Sequence, residues 1–254
     1  MDQENQHTYD NGFHPKKVVL KENYKFYNNS FFFRFFSKLI VYFTRFWLIF
    51  PKFFMGFKLV DKKKNRRKMK GTLVVSNHIH PLDAFFLIGS IHFRKIYATM
   101  LQSNLGFGIV SKYMRLAAAV PIPTDRHLLR NFNNGTKETL EKGKNILFYP
   151  EAALMPYCDH IRNFLPGAFH YAVVNDVPII PCCFTFHKPK GIYKLFRRKK
   201  PTIHLSILDP YYPPKLESRN EAIKQTTEDV HKLISDYFIA NSDFYYKNGQ
   251  KLNN

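Results

Sequence analysis

The residues best suited to chemistry lie in one short segment, SNHIHPLDAFF, at positions 76–86. In it His78 precedes Asp83, with Pro81 between them. On one helix this spacing would leave the two side chains about 140° apart, whereas across a tight turn they can converge. A carboxylate that accepts a hydrogen bond from one imidazole nitrogen leaves the other nitrogen free to take a proton. The segment therefore predicts a general base that acts on a hydroxyl group.

Two other interpretations of these residues stay open at this point. Asp83 could be only the N-cap of the helix that follows, because a carboxylate is favoured at a helix start. His80 competes with His78 for the role of base, although it lies closer in sequence to Asp83. Taken alone, a histidine followed by an aspartate is a weak signal.

The elements that must position this segment alternate along the chain. Strand-like apolar runs are expected at 72–77, 96–100, 117–122, 145–149, 178–186 and 202–208. Helices are expected at 84–91, 106–115, 127–143, 167–176 and 219–240. Strands that are continuously apolar and alternate with helices predict an α/β fold, with a sheet covered by helices on both faces.

Residues 24–60 form an aromatic and apolar segment that comes before these elements. It has no uncharged run near the roughly 18 residues that a membrane-spanning helix needs. At about 100° per residue its cations fall within an arc of roughly 40° on one helix. These cations are Arg34, Lys38, Arg45 and Lys52.

The remaining surface of that helix is largely Phe, Leu, Ile and Val, together with Trp47. This composition predicts an amphipathic helical segment that lies in a membrane interface, with its narrow cationic stripe toward the lipid headgroups. Pro51 should end or kink the helix near Phe50, because proline disrupts helical hydrogen bonding. The alternative is a core helix whose lysine and arginine stems extend out to water.

The overall charge predicts an anionic partner. The chain has 39 Lys and Arg against 19 Asp and Glu, a formal net charge of +20. Basic clusters at 62–70, expected as a turn, and at 188–200 would suit nucleic acid. The apolar and basic helix would then have no partner for its apolar face, so an anionic membrane surface is favoured and nucleic acid is not expected.

Cysteine content and the N-terminus indicate a reducing, cytosolic compartment. No pair among Cys158, Cys182 and Cys183 has the spacing of a zinc site, so neither a metal site nor a disulfide framework is expected. Residues 1–23 are a polar lead-in without the basic start and apolar run of a secretory signal. We therefore expect three parts: a lead-in at 1–23, a membrane-interface segment at 24–60 and a catalytic domain at 61–254.

Four blocks along the chain resemble the ordered motifs of the glycerolipid, or lysophosphatidic acid, acyltransferase family. The segment at 76–86 is similar to that family's Asn-His-x4-Asp motif, and AVPIPTDR (119–126) to its second motif, which ends in Asp-Arg. FYPEAAL (148–154) resembles the third motif, usually Phe-Pro-Glu-Gly-Thr, and VPIIPCCF (177–184) the fourth, an apolar strand between prolines. FLPGAFHYA (164–172) is similar to the Gly-Ala-Phe helix start that lies between the last two motifs.

The resemblance implies a fold and a set of roles. The fold would be a mixed, mostly parallel sheet flanked by helices. His78 would deprotonate the acceptor hydroxyl and Asp83 would orient His78. The substrate-binding residues would be Asn77 from the first motif, Arg126 as the clamp on the acceptor's phosphate, and Glu151 as a group that positions its polar part.

The third motif departs from the family pattern. Ala152 and Ala153 stand where the family usually has Gly and Thr, and Leu154 follows where an arginine is common. Alanine does not easily adopt a positive φ, so the loop is expected to differ. Arg162 is the candidate to replace the missing positive charge.

The resemblance implies transfer of a fatty acyl group from acyl-CoA or acyl carrier protein to a lysophospholipid, with 1-acyl-glycerol-3-phosphate favoured. Attack of an alcohol on a thioester needs a base and stabilisation of the developing anion, so no cofactor or metal is expected. The protein would lie on the cytoplasmic face of a membrane. The alternative is a catalytically inactive membrane-surface lipid-binding protein of the same fold.

Overall fold

The computed structural model describes residues 16–28, 30–61, 63–91, 95–197, 200–247 and 250–253. Helices in these residues are α1 (Phe31–Trp47), α2 (Ile49–Phe54), α3 (Lys63–Lys68), α4 (Asp83–Ser90), α5 (Ile109–Leu116), α6 (Arg126–Glu141), α7 (Gly167–Val174), α8 (Tyr193–Phe196) and α9 (Arg219–Asn241). The strands are β1 (Lys58–Asp61), β2 (Leu73–Ser76), β3 (Ile96–Leu101), β4 (Ala119–Ile122), β5 (Asn145–Phe148), β6 (Ile179–His187), β7 (Thr202–Ile207), β8 (Phe244–Lys247) and β9 (Gln250–Asn253).

Seven of these described strands form one sheet, in the order β1-β7-β6-β2-β5-β3-β4. The five strands from β6 to β4 are parallel, β7 is antiparallel to β6, and β1 is parallel to β7. The central strand β2 is fully buried, as its uninterrupted Leu-Val-Val run predicts. The expected mixed, mostly parallel α/β sheet is confirmed.

Parallel strands place their carboxyl ends at the same edge of the sheet, where ligands bind in folds of this kind. His78 follows β2, Glu151 follows β5 and Arg126 follows β4. The sheet topology thus brings three of the predicted functional residues to one edge, although they lie in three separate motifs.

Two elements near residue 60 differ from those that the sequence predicted. β1 pairs with β7 through Lys58–Asp61, so the sheet begins inside the segment assigned to the membrane interface. As an edge strand with a partner on one side only, β1 accommodates charged residues that a central strand would exclude. The basic stretch expected as a turn at 62–70 contains the helix α3 instead.

Residues 18–27 form a strap that packs beside β3 and β4, at the edge of the sheet opposite β1. Phe26 is buried edge-on against Phe132 of α6, and the Tyr27 hydroxyl shares a 3.0 Å hydrogen bond with Thr136. A Cβ at Gly135 would lie only 2.8 Å from the Tyr27 ring, so the glycine within α6 makes room for the strap. This part of the chain is therefore packed against α6, although it spans the expected lead-in and the start of the expected membrane-interface segment.

The proline in the N-terminal segment breaks the helix as expected, but at Leu48, two residues before the expected position. α1 ends at Trp47 and α2 resumes at Ile49, with Leu48 as the buried junction. Pro51 has no N–H for the Trp47 carbonyl, which explains a break at this point.

α1 turns its polar side toward the domain. Its buried residues are Ser37 and Thr44, while its aromatic side chains other than the partly buried Phe33 are exposed, from 50% at Phe36 to 77% at Phe31. A surface helix of a globular protein has the opposite arrangement, with its apolar stripe against the core. The apolar face of α1 consequently has no cover within the described chain.

Two of the four cations do not face outward, which corrects the predicted headgroup-facing stripe. Arg45 donates to the Ile91 carbonyl at 3.2 Å, and Lys52 donates to the Ser90 hydroxyl at 3.1 Å. Burial, together with nearby Arg45, lowers the pKa of Lys52 to about 8. These two side chains hold α1 and α2 against the C-terminal end of α4, where carbonyl groups favour positive charge.

The other predicted membrane residues are exposed: Arg34, Lys38 and Trp47. Among the described residues, no helix combines the length and the apolar character needed to cross a bilayer.

Candidate active site

The turn after β2 is fixed to its neighbouring strand by Asn77. The Asn77 amide donates to the Phe184 carbonyl at 3.0 Å and accepts from the Phe184 N–H at 2.8 Å. Asn77 is buried, so the structure gives it a role in holding the turn to β6. The predicted contact between Asn77 and substrate stays a prediction.

Asp83 organises the turn that follows. Its Oδ2 accepts hydrogen bonds from the Ile79 N–H at 2.6 Å and the His80 N–H at 2.8 Å, and lies 3.1 Å from His78 Nδ1. The carboxylate is fully buried at the first position of α4 and faces back into the turn. Asp83 is therefore more than a helix cap, because it binds the imidazole and the backbone that carries it.

The contact with Asp83 orients His78 for proton transfer. With Nδ1 donating to the carboxylate, Nε2 is the nitrogen that can accept a proton. The His78 side chain is 22% exposed, and its ring stacks on Tyr149 with centroids 4.1 Å apart. His78 therefore has a fixed tautomer, a fixed ring plane and partial access to solvent, as the predicted base requires.

His80 is occupied elsewhere, which favours His78 as the base. The His80 Nδ1 accepts a hydrogen bond from the Leu82 N–H at 3.1 Å. Burial lowers the pKa of His80, with Asp83 acting in the opposite direction. His80 thus closes the turn and does not receive the Asp83 carboxylate on its ring.

Glu151 and Arg162 form a buried ion pair behind the histidine. The Arg162 guanidinium donates to Glu151 Oε2 at 2.9 Å, and the side chains are only 2% and 1% exposed. Glu151 also accepts from the backbone N–H groups of His78 and Arg162, each at 3.3 Å. Burial raises the pKa of Glu151, and the positive charge of Arg162 opposes that rise.

This pair joins the first and third motifs, because Glu151 binds the backbone of His78. Arg162 also donates to the Ala153 carbonyl, so it holds both ends of the loop between them. Neither side chain is open to solvent in the structure. The prediction that they contact the acceptor directly is untested, and the geometry favours a positioning role.

Ala152, in the altered third motif, adopts a left-handed backbone conformation. Its φ is 62°, so the alanine takes the positive φ that was expected to be difficult for it. A left-handed conformation costs a non-glycine residue about 1–2 kcal/mol. The buried Glu151–Arg162 pair on either side of the loop supplies contacts that can hold this strained residue in place.

Replacing Ala152 by glycine should raise the free energy of unfolding by about 0.5–1 kcal/mol. Relief of the left-handed strain exceeds the added chain entropy of glycine in the unfolded state. Urea unfolding followed by circular dichroism measures the change. Ala153→Gly, at the next position but with negative φ, is the control and should be destabilising; equal loss in both variants would contradict the strain.

Arg126 lies at the same edge of the sheet but apart from this cluster. It is exposed at the first turn of α6, where Asp125 caps the helix by accepting from the His127 N–H at 2.9 Å. β4 lies three strands from β2, so the ends of these two strands are about 14 Å apart across the sheet. Gln102 fixes the intervening loop by accepting from the Thr124 N–H at 2.9 Å.

Sequence reasoning missed Tyr149, whose ring covers one face of His78. The signal that could have found it is its position directly after a predicted strand. Tyr149 follows β5, which pairs in parallel with β2 through Val75 and Phe148. The residues just beyond those two strands must therefore be neighbours.

Comparison with known proteins agrees with this geometry. The acyltransferase family model matches residues 59–185, half of the 254-residue chain and a range that includes His78, Asp83, Arg126 and Glu151. The crystal structure of the 1-acyl-sn-glycerophosphate (LPA) acyltransferase PlsC from Thermotoga maritima shares the fold, with a TM-score of 0.51. The two sequences are 21% identical, and the similarity covers 79% of each chain. No curated protein sequence matches this chain. The match over half of its length shows that this chain belongs to the acyltransferase family.

Proposed function

We propose that the protein transfers a fatty acyl group from a thioester donor, acyl-CoA or acyl carrier protein, to the hydroxyl group of a lysophospholipid. The observation that carries this proposal is the His78–Asp83 pair, which leaves one imidazole nitrogen available at an accessible edge of the sheet. 1-Acyl-glycerol-3-phosphate is the favoured acceptor, since resemblance to the acyltransferase family assigns the acceptor's phosphate to Arg126, which follows a strand that ends at the same edge of the sheet.

The chemistry needs one proton to move twice. Nε2 of His78 takes the proton of the acceptor hydroxyl as its oxygen attacks the thioester carbonyl. The tetrahedral intermediate collapses, the carbon–sulfur bond breaks, and the departing thiolate receives the same proton from the imidazolium. Asp83 stabilises the imidazolium between these steps, and Glu151 keeps the His78 backbone in place.

Arg126→Ala should raise the apparent KM for the acceptor about tenfold, with a much smaller effect on the KM for the donor. A forked guanidinium binds phosphate through two charge-assisted hydrogen bonds, which the variant loses. Initial rates at varied acceptor and donor concentrations measure the two constants. Lys137→Ala, at the other end of α6, is the control; an equal change in both KM values would contradict a phosphate clamp.

The exposed face of α1 and α2 is proposed to lie in one leaflet of an anionic membrane, on the cytoplasmic side. Its large aromatic residues have no cover within the described chain, and the net charge of +20 suits an anionic surface. Acceptors with long acyl chains would then reach the site from the leaflet, while soluble donors would approach from the cytosol.

A double change, Phe36→Ser with Phe43→Ser, should reduce binding to anionic liposomes at least tenfold and leave the melting temperature nearly unchanged. Both side chains are at least half exposed, so their loss removes membrane contact without opening the core. Liposome flotation measures the binding. Ile239→Ser, an equally exposed apolar site on α9, should bind normally; unchanged binding by the double variant would contradict this orientation.

An acceptor screen tests the proposed activity as a whole. Purified protein is incubated with one long-chain acyl-CoA or acyl carrier protein and a panel of lysolipids, and products are identified by mass spectrometry. A diacyl product with 1-acyl-glycerol-3-phosphate, absent from the His78→Ala reaction, supports the proposal. Lipid binding without consumption of the thioester for any acceptor would indicate the inactive lipid-binding protein instead.

A further inference from the structure

Three different metal-binding side chains converge in the loop between Glu151 and Arg162. Cys158, Asp159 and His160 each offer one ligand atom, and these atoms all lie within 4.8 Å of one another. The Cys158 sulfur lies 3.6 Å from His160 Nδ1, and that nitrogen lies 3.1 Å from Asp159 Oδ1. Cys158 is buried, whereas the other two side chains are partly exposed.

Two of the three separations between these ligand atoms are close to the edges of a zinc coordination tetrahedron. Bonds of about 2.3 Å to sulfur and about 2.0 Å to nitrogen or oxygen put sulfur and nitrogen about 3.5 Å apart, and nitrogen and oxygen about 3.3 Å apart. The two observed separations are within a few tenths of an ångström of these values. The third edge, from the Cys158 sulfur to the Asp159 carboxylate, is at most 4.8 Å and would need to be about 3.5 Å around a bound zinc ion, a change that a side-chain rotation can supply.

We propose that Cys158, Asp159 and His160 form a binding site for a divalent cation of the zinc class. The cysteine thiolate, the neutral imidazole and the carboxylate supply three ligands, and water completes the tetrahedron. On binding, the thiol proton passes to solvent, the proton that His160 Nδ1 donates to Asp159 leaves that nitrogen through solvent, and the metal bonds form without any oxidation or reduction.

The site would clip the loop that lies against the catalytic turn. The Met155 N–H donates to the His78 carbonyl at 3.3 Å, and the Tyr157 N–H donates to the Ile79 carbonyl at 2.9 Å. Tyr157 has φ 56°, a conformation that a non-glycine residue adopts only when neighbouring contacts hold it. A metal bound just after Tyr157 adds such a constraint, so its role is structural and separate from the acyl transfer itself.

The cysteine spacing predicted no zinc site, because no two of the three cysteines are separated as paired zinc ligands are. The proposed site needs only one cysteine, with the histidine two positions later and the aspartate between them. The hydrogen-bonded loop brings these adjacent ligands onto one side, an arrangement that spacing rules for paired cysteines do not detect.

Titration of the metal-free full-length protein with Co²⁺ tests the site. One equivalent should bind with a micromolar dissociation constant and produce the near-ultraviolet absorption of a cobalt–thiolate bond, which Zn²⁺ then removes by displacement. Zinc at saturation should also raise the melting temperature of the wild type. Absence of the thiolate absorption, or binding only at millimolar cobalt, would overturn the proposal.

Variants test whether the metal binds at this site or at other side chains of the protein. Cys158→Ser should lose the cobalt–thiolate absorption and the zinc-dependent rise in melting temperature, and His160→Ala should weaken binding at least tenfold. His127→Ala, an exposed histidine on α6, should behave as wild type. Absorption that persists in Cys158→Ser would assign the metal to another cysteine and refute the proposal. Circular dichroism of each variant without metal checks that its fold is intact.

Discussion

Replacing His78 by alanine should lower turnover by about 100-fold or more, the scale expected when a general base is lost. Nothing else in the described turn can take its place, because the Asp83 carboxylate is directed at this imidazole and His80 closes the turn. Binding of the acceptor should change little, since His78 acts on the hydroxyl and not on the phosphate. Single-turnover rates with saturating acceptor measure the chemical step.

Two further variants make the assignment of the base decisive. Asp83→Asn should also lower turnover, because an amide can neither stabilise the imidazolium nor enforce the same tautomer. His80→Ala should retain most of the activity, with some loss of stability from the missing hydrogen bond to Leu82. Near-normal turnover of His78→Ala together with an inactive His80→Ala would assign the base to His80.

Arg162→Leu should lower the free energy of unfolding by about 3–5 kcal/mol. The change leaves the Glu151 carboxylate buried without its cation, and breaking a buried pair from one side is far more costly than losing a surface pair. Turnover should fall as well, because Glu151 binds the His78 backbone. Urea unfolding gives the stability change, and assays below the unfolding transition give the rate.

A double variant without either charge distinguishes the contribution of the ion pair from that of side-chain packing. Adding Glu151→Gln to Arg162→Leu should recover part of the lost stability, since no charge is then left alone in the interior. Arg130→Leu, at an exposed position on α6, should change stability by no more than about 0.5 kcal/mol. A loss in Arg162→Leu that is as small as in Arg130→Leu would show that the pair contributes little.

Local sequence patterns predicted the strands that carry the site, because apolar continuity is a property of each strand by itself. β2, β5 and β6 lie where their buried runs indicated. Their order in the sheet was not predicted, since strand pairing depends on contacts far apart in the chain. β1 and α3 were missed because charged residues at the margin of a domain give no apolar signal.

The geometry of the cations and of the third motif could not be predicted in the same way. Helical periodicity put Arg45 and Lys52 on one face, and they do bind the same end of α4 from two successive helices, but periodicity cannot show whether such a face meets the domain or the membrane. Likewise, Glu151 and Arg162 were each assigned to substrate, and only the folded loop shows that they bind each other. The expectation that Ala152 would avoid a positive φ followed a statistical preference, which the surrounding contacts override.

The attachment of α1 at both of its ends has a consequence for the substrates. The strap at 18–27 fixes the chain just before the helix, and β1 fixes it just after α2. Arg45 and Lys52 tie the middle to α4, so the aromatic face cannot swing independently of the histidine. A protein mounted in a leaflet by this face would hold its base at one set depth. Its choice among lipids would then depend on how far a hydroxyl group lies below the membrane surface, as well as on the headgroup.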